Sequence, residues 1–145
     1  MKISTKGRYG LRTLIDIARH QSEGAVTLGD ISKRQKISAK YLWQVINPLK
    51  TARMLRVTRG AKGGFFLTRE PEEITLYEIV ATLEGDLLLV DCLGAGANCE
   101  MAASCVARTV WHDVSHAMET SLKSITLADI LKRCEASAGT TDYMI

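Results

Sequence analysis

The stretch Thr27–Thr68, TLGDISKRQKISAKYLWQVINPLKTARMLRVTRGAKGGFFLT, decides the fold. Thr27-Leu28-Gly29-Asp30 opens like a capping box, and Leu28 and Ile31 then face inward from a short helix. After Lys36-Ile37, Ser38 is a good N-cap for a longer helix running to about Ala52, with Leu42, Val45, Ile46 and Leu49 on its inner side. Pro48 falls inside that run and is expected to kink it or remove one hydrogen bond. Two short helices across a tight turn, the second basic at its start, make a helix-turn-helix. Leu55–Arg59 and Phe65–Thr68 then alternate like strands around Gly60-Ala61-Lys62-Gly63-Gly64. A basic hairpin directly behind a helix-turn-helix is a wing. Its glycines are expected to let backbone approach phosphate or the minor groove, with Arg59 and Lys62 supplying charge. The loop lacks the G-x4-G-K-[ST] pattern and joins strand to strand, so it is not a nucleotide-binding loop.

Outward from this stretch the pattern stays helical. Upstream, residues 5–21 place Leu11, Leu14, Ile15 and Ala18 on one side of a helix, with Lys6, Arg8, Arg12 and Arg19 on the others. Downstream, Pro71 closes the head, and Thr75 caps a helix carrying Leu76, Ile79, Val80 and Leu83 that ends near Gly85. From about Ala103 to Leu122, Val106, Val110, Val114 and Met118 recur at i+4 steps, with Trp111 and Leu122 beside them. One small head cannot cover a stripe of this length, so it is read as the contact between two copies. Thr126 starts a last short helix, and Gly139–Ile145 reads as a frayed tail. The expected fold is mainly α with a small β-wing. Residues 1–70 form a winged helix-turn-helix head, and 71–108 form a linking helix and cysteine loop. Residues 103–135 carry the dimerisation and terminal helices, and 136–145 the tail.

Charge supports a nucleic-acid partner for the head. The net charge is only +3, but 15 of the 19 lysines and arginines and 3 of the 16 acids lie in residues 1–69. With 46% hydrophobic and 24% charged residues the chain has the composition of an ordinary soluble protein. No apolar run approaches the ~20 residues that span a bilayer, and Met1-Lys2-Ile3-Ser4 does not open a secretion signal, so the chain is read as cytoplasmic and without a membrane partner. No nucleophile accompanies His20, His112 or His116 in a recognisable motif, and no enzyme reading follows.

Asp91–Arg108, DCLGAGANCEMAASCVAR, holds Cys92, Cys99 and Cys105 with spacing C-x6-C-x5-C. The residues between the first two are almost all Gly, Ala and Asn, and contribute little to a core. Thiolates are soft ligands, and a loop without bulky side chains can fold three sulfurs around one metal centre, as in iron–sulfur sites. Cys134 stands apart, read as a small buried apolar residue or, more sharply, as a redox partner for a loop thiol.

MKISTKGRYGLRTLIDIA, ISAKYLWQVINPLK, RGAKGGFFL, CVARTVWHDVSHAM and ITLADIL together resemble the iron–sulfur cluster regulators, bacterial winged-helix transcription factors of the IscR and NsrR type. The resemblance covers residues 1 to about 133. It implies a homodimer with two winged heads and crossed long helices, bound to a palindromic double-stranded DNA operator. It also implies a 2Fe–2S or 4Fe–4S cluster on Cys92, Cys99 and Cys105 that alters operator binding.

Two departures matter. In the IscR branch a histidine three residues after the last cysteine is the fourth ligand, and here Arg108 stands there. In the NsrR branch an N-terminal aspartate of the partner does that job, and here Arg8 stands there. A guanidinium has no free lone pair for iron. The fourth ligand is therefore open, with His112, Asp91 and Glu100 as candidates, although His112 lies roughly 10 Å beyond Cys105 along the helix axis. Trp43 occupies a position where the resemblance leads one to expect an acid. An indole offers an apolar surface and one N–H donor, so a different operator preference is expected.

The candidate DNA-contacting residues are Ser38, Lys40, Tyr41, Trp43 and Gln44, then Arg59, Lys62 and Gly63 in the wing, and Thr5 and Arg8 upstream. Gln44 suits adenine, and Lys40 suits guanine or phosphate. The leading reading is a homodimeric transcription regulator, a repressor, whose cysteine loop holds a redox- or nitric-oxide-sensitive cluster. The alternative keeps the DNA binding and makes the loop a cluster-free thiol, zinc or partner-protein switch. An iron–sulfur carrier would have no use for the basic head.

Overall fold

Side-chain caps set the start of each of the first three helices in the computed structural model, which describes residues 2–139. α1 (Thr5–His20) begins at Ser4, whose hydroxyl accepts from the backbone N–H groups of Lys6 and Gly7. α2 (Leu28–Gln35) begins at Thr27, which accepts from the Asp30 N–H, and ends at Lys36 in the left-handed region with φ 57°. α3 (Ala39–Thr51) begins at Ser38, which accepts from the Tyr41 N–H. Pro48 does not break α3, because only the helix bond its missing N–H would have made is lost. The helix ends in a Schellman turn: Arg53 takes φ 58°, its N–H reaches the Lys50 carbonyl, and the Met54 N–H reaches the Leu49 carbonyl, both at 2.9 Å. Met54 and Leu49 are both fully buried, the apolar contact that accompanies this turn.

The wing is an antiparallel pair, β1 (Leu55–Thr58) and β2 (Gly64–Leu67), with Leu55 opposite Leu67 and Thr58 opposite Gly64. Val26 adds a single rung to β2, exchanging hydrogen bonds with Phe65 at 2.8 and 3.1 Å. Two of the wing glycines also have a role inside the head. A Cβ on Gly63 would lie 2.4 Å from the Thr58 carbonyl oxygen, and one on Gly64 would lie 2.6 Å from that of Val26. Gly63 thus packs on the hairpin's own backbone and Gly64 on the Val26 rung, whereas Gly60 faces open space.

α4 (Leu76–Glu84) starts at Thr75 and ends at Gly85 with φ 83°. After the cysteine segment come α5 (Val106–Lys123) and α6 (Leu127–Gly139). α5 starts three residues later than its apolar spacing suggests, since Ala102 and Ser104 turn back on the Cys99 and Met101 carbonyls and leave Cys105 as the cap. α6 runs through 136–139, the first part of the stretch read as a tail. The rest of that stretch, 140–145, lies outside the described residues.

Leu14, Ile17, Ile31, Leu42, Val45, Ile46, Leu49, Met54, Leu55 and Phe65 form the core of the head. That core does not stop at residue 70: Ile74, Ile79, Leu83 and Leu127 belong to it. The chain returns there because Leu76 N–H bonds the Ile125 carbonyl and Leu127 N–H bonds the Ile74 carbonyl, each at 2.8 Å. In α1 the deepest face differs from the one expected. Gly7, Gly10, Thr13, Leu14 and Ile17 are buried, whereas Leu11, Ile15 and Ala18 are half-buried. The two glycines draw α4 against that face. α5 has no buried residue, and Val106, Val110, Trp111 and Val114 face outward.

Candidate nucleic-acid interface and cysteine segment

Burial of Leu42, Val45, Ile46 and Leu49 leaves the opposite side of α3 to solvent. Lys40, Trp43, Gln44 and Asn47 are exposed there at i, i+3, i+4 and i+7. Asn47 was not among the residues singled out from sequence, although the same helical period would have found it. Trp43 is 44% exposed and packs one edge on Phe65, with ring centroids 5.9 Å apart. The core residue of the wing thus fixes the indole that projects beside Gln44. Tyr41 is half-buried and sets its ring edge-on against Tyr9, at 5.4 Å. Ser38 spends its hydroxyl on capping α3.

The wing and the start of α1 extend this exposed surface. Arg59 and Lys62 are exposed, and Gly63 N–H closes the loop on the Gly60 carbonyl at 3.0 Å. Arg56 lies over the Phe66 ring at 4.5 Å, adding a cation to the hairpin's outer side. At the start of α1, exposed Arg8 donates to the Thr5 hydroxyl at 3.0 Å. The Tyr9–Tyr41 contact places this turn beside the start of α3. Exposed Lys and Arg side chains on a helix, a hairpin and a helix start, beside one row of polar and aromatic side chains, are suited to grip a duplex and read base edges.

The cysteine segment leaves α4 at Gly85. Cys92 sits in a 3-10 turn, Asp91–Leu93, and is half-buried. Cys99 is exposed, and Cys105 is the N-cap of α5, its Sγ accepting from the Arg108 N–H at 3.4 Å. The Arg108 Nε donates to the Cys92 carbonyl at 3.2 Å, so this arginine ties the first cysteine to the helix that the third one caps. All three thiols are free. Among the described residues no three His, Cys, Asp or Glu side chains are grouped as a metal site. Asp91 and Glu100 are exposed, and His112 lies against Asp113 at 3.4 Å. Cys134 is free and half-buried on α6. As a donor set the three thiols suit a soft centre, and a series of backbone turns joins Cys92 to Cys105.

A winged head with its reading helix exposed, followed by a cysteine segment and an apolar long helix, is matched by one family model. The Rrf2 model, described as an iron-dependent transcriptional regulator, covers residues 3–133. The chain belongs to the Rrf2 family. It is 40% identical to the protein rrf2 of Nitratidesulfovibrio vulgaris over 132 residues, which cover 91% of this chain and 88% of that one. It is 33% identical to the transcriptional regulator IscR of Photobacterium profundum, over 91% of this chain and 76% of that one. Among solved structures, the global cysteine regulator CymR of B. subtilis superposes with a TM-score of 0.76 at 36% identity, covering 92% of this chain and 98% of that one. T. potens IscR superposes equally, at 0.76 and 39% identity, covering 94% and 90%. This Rrf2-family chain is thus a DNA-binding transcription regulator with a winged-helix fold. No described helix is long and apolar enough to cross a membrane.

The Rrf2 head carries one polar network that sequence reading missed. Asp16, 2% exposed, accepts from Arg34 Nη2 at 2.7 Å, from Arg34 Nε at 3.0 Å and from Gln35 Nε2 at 2.8 Å. Arg12 of the same helix reaches the Gln35 carbonyl and side chain. Burial pushes the Asp16 carboxyl up, but the Arg34 and Gln35 hydrogen bonds and the Arg34 charge outweigh it and hold the group below the usual carboxylate range. The network clamps α2 onto α1 and so sets the platform from which α3 projects. Its signal in sequence was an acid inside the apolar face of α1, at the helical position next to Ile17.

Proposed function

We propose that the chain acts as a homodimeric, sequence-specific repressor that reads a palindromic operator with α3 and the wing, and whose cysteine segment tunes that binding. The observation that carries this reading is the exposed row Lys40, Trp43, Gln44 and Asn47 on α3, beside a basic wing, in an Rrf2-family head. In the groove, Gln44 and Asn47 would take the bidentate adenine contacts, Lys40 guanine or phosphate, and Trp43 the thymine methyl. Arg59 and Lys62 from the wing, and Thr5 and Arg8 from α1, would fix the register on phosphates. The outward face of α5, with Val106 at 77% exposure and Val110 at 51%, supports pairing with a second copy. Two heads related by that axis would meet half-sites about one helical turn apart, or a multiple of it.

Cys92, Cys99 and Cys105 would hold an iron–sulfur cluster, supplying a centre reactive toward oxidants and nitric oxide. Support comes from the three free thiols and from the family's description as iron-dependent. Arg108 does not complete the set, being engaged with the Cys92 carbonyl. A specific observation favours a second reading, a cluster-free thiol switch: that same arginine stands beside Cys105 where a fourth ligand would be needed.

Anaerobic purification with an absorbance spectrum and iron and acid-labile sulfide assays, on the wild type and Cys92→Ala, separates the two. Matched iron and sulfide in the wild type, lost in the variant, is the expected result. A protein that stays colourless after anaerobic reconstitution sinks the cluster and leaves the thiol switch, to be read by operator binding under oxidant and reductant.

A further inference from the structure

We infer that Glu84 is a positioning residue for operator binding: its carboxylate holds the first turn of α1, which carries Thr5 and Arg8, against the helix that leads into the cysteine segment. The inference rests on the regulator reading above and adds to it a residue far from α3 and the wing in sequence. Glu84 Oε1 accepts from the Ser4 N–H at 3.1 Å, from the Ser4 hydroxyl at 2.7 Å and from the Gly7 N–H at 3.0 Å. These donors lie at a helix N-terminus, whose unsatisfied N–H groups and partial positive charge favour an anion. Glu84 fills them from within the chain, so a DNA phosphate arriving at this turn meets side chains, Thr5 and Arg8, rather than the helix end. The turn is held at both ends. Glu84 grips Ser4 and Gly7, and one residue beyond Arg8 the Tyr9 ring rests on Tyr41 of α3.

The packing of the α4 side chains on α1 behind this bond is equally tight. A Cβ on Gly7 would lie 2.2 Å from Glu84 Oε1, and one on Gly10 would lie 2.0 Å from Leu83 Cδ1. Gly7 and Gly10 are one helical turn apart, so together they seat the last turn of α4 directly on the α1 backbone. The next residue, Gly85, takes φ 83° and opens the cysteine segment. With no α1 side chain at Gly7 or Gly10 to hold Leu83 and Glu84 away, a tilt of α4 at that end moves Ser4–Arg8 with it. Glu84 is therefore the point where the cysteine segment and the DNA-facing turn are joined.

The test uses the full chain, a duplex that the wild type selects from a random-sequence pool, and a scrambled duplex of the same composition. Affinity for both is measured, with phosphate-ethylation interference on the selected one and circular dichroism to check the fold. Glu84→Ala is expected to lower the selected-to-scrambled affinity ratio about tenfold and to erase interference at the phosphates flanking the half-site. Glu84→Gln keeps an acceptor oxygen for the same donors and is expected to restore the ratio to within about threefold, with the interference pattern. Gly7→Ala, whose Cβ would push the carboxylate off its donors, is an independent route to the same loss should Glu84→Ala not fold. An unchanged ratio and pattern in both Glu84→Ala and Gly7→Ala overturns the inference. So does an equal rise in affinity for both duplexes, which would mark the carboxylate as a simple repulsive charge, and so does a Gln variant as impaired as the Ala one. A wild type that selects no duplex overturns the regulator reading and this inference together, whereas a selecting wild type indifferent to Glu84 overturns this inference alone.

Discussion

Replacing Arg34 by alanine removes the main partner of a carboxylate that cannot return to water. Asp16 is 2% exposed and receives three hydrogen bonds from Arg34 Nε and Nη2, of which the shortest is 2.7 Å. Breaking a fully buried pair from one side costs about 3–5 kcal/mol. The Arg34 side chain is 36% exposed, so its own charge is partly screened and water would reach the space it leaves. Gln35 also stays bonded to Asp16. Both facts lower the expectation to about 2 kcal/mol, the scale of one hydrogen bond to a charged group. At about 2–4 °C per kcal/mol for a chain of this size, the melting temperature should fall by roughly 4–8 °C. Urea unfolding followed by circular dichroism, at a series of pH values from 7 downward, measures it. Because the folded Asp16 pKa lies below the unfolded one, its contribution is fully present above the unfolded value near ~3.9 and is lost as pH falls through the folded value. In Arg34→Ala burial acts without the arginine, so Asp16 takes up its proton at higher pH. The gap between the two proteins is then widest near neutrality and narrows in acid. A difference under about 0.5 kcal/mol at pH 7, the range of an ordinary surface substitution, would refute the clamp. A gap that does not change with pH would refute its electrostatic origin.

Three further outcomes are expected. Arg53→Gly relieves a left-handed backbone at the Schellman turn and should stabilise the chain by about 1 kcal/mol, read as a higher urea midpoint; a lower midpoint would show that the arginine side chain contributes more than the strain costs. Gln44→Ala should weaken binding to the selected duplex by about 1–3 kcal/mol and leave scrambled DNA alone, whereas Lys62→Ala should weaken both and reduce the salt slope by about 1; equal sequence dependence of the two losses would remove α3 as the reading element. Val110→Glu puts a charge in the middle of the outward α5 face, and sedimentation should then report a dimer for the wild type and a monomer for the variant; a dimeric variant would place the contact elsewhere.

Much of the interface was legible because it depends on short-range rules. The hydroxyls of Ser38 and Thr27 announce helix starts, the period of Leu42, Val45, Ile46 and Leu49 dictates which side of α3 faces out, and a glycine-rich turn between alternating runs is a hairpin. Asn47 follows from the same period, one turn beyond Trp43 on the exposed side of α3. The cysteine segment was legible as chemistry and not as geometry. Spacing identifies three thiols on one stretch, but only the fold shows that Arg108 Nε reaches back sixteen residues to the Cys92 carbonyl and that the Cys105 thiol caps α5.

Sequence by itself thus determined the elements, the side of α3 left to solvent, and the presence of a soft donor set, since caps, helical period and thiol chemistry are written within a few residues of one another. Tertiary structure alone decided the rest. Glu84 meets Ser4 across eighty positions, Asp16 meets Arg34 across eighteen, and Leu127 enters the core of the head. Such pairings depend on which helix ends and glycine seats lie side by side once the core has closed. No local pattern carries that information, because a carboxylate at the end of α4 has the same composition whether it faces water or the first turn of α1.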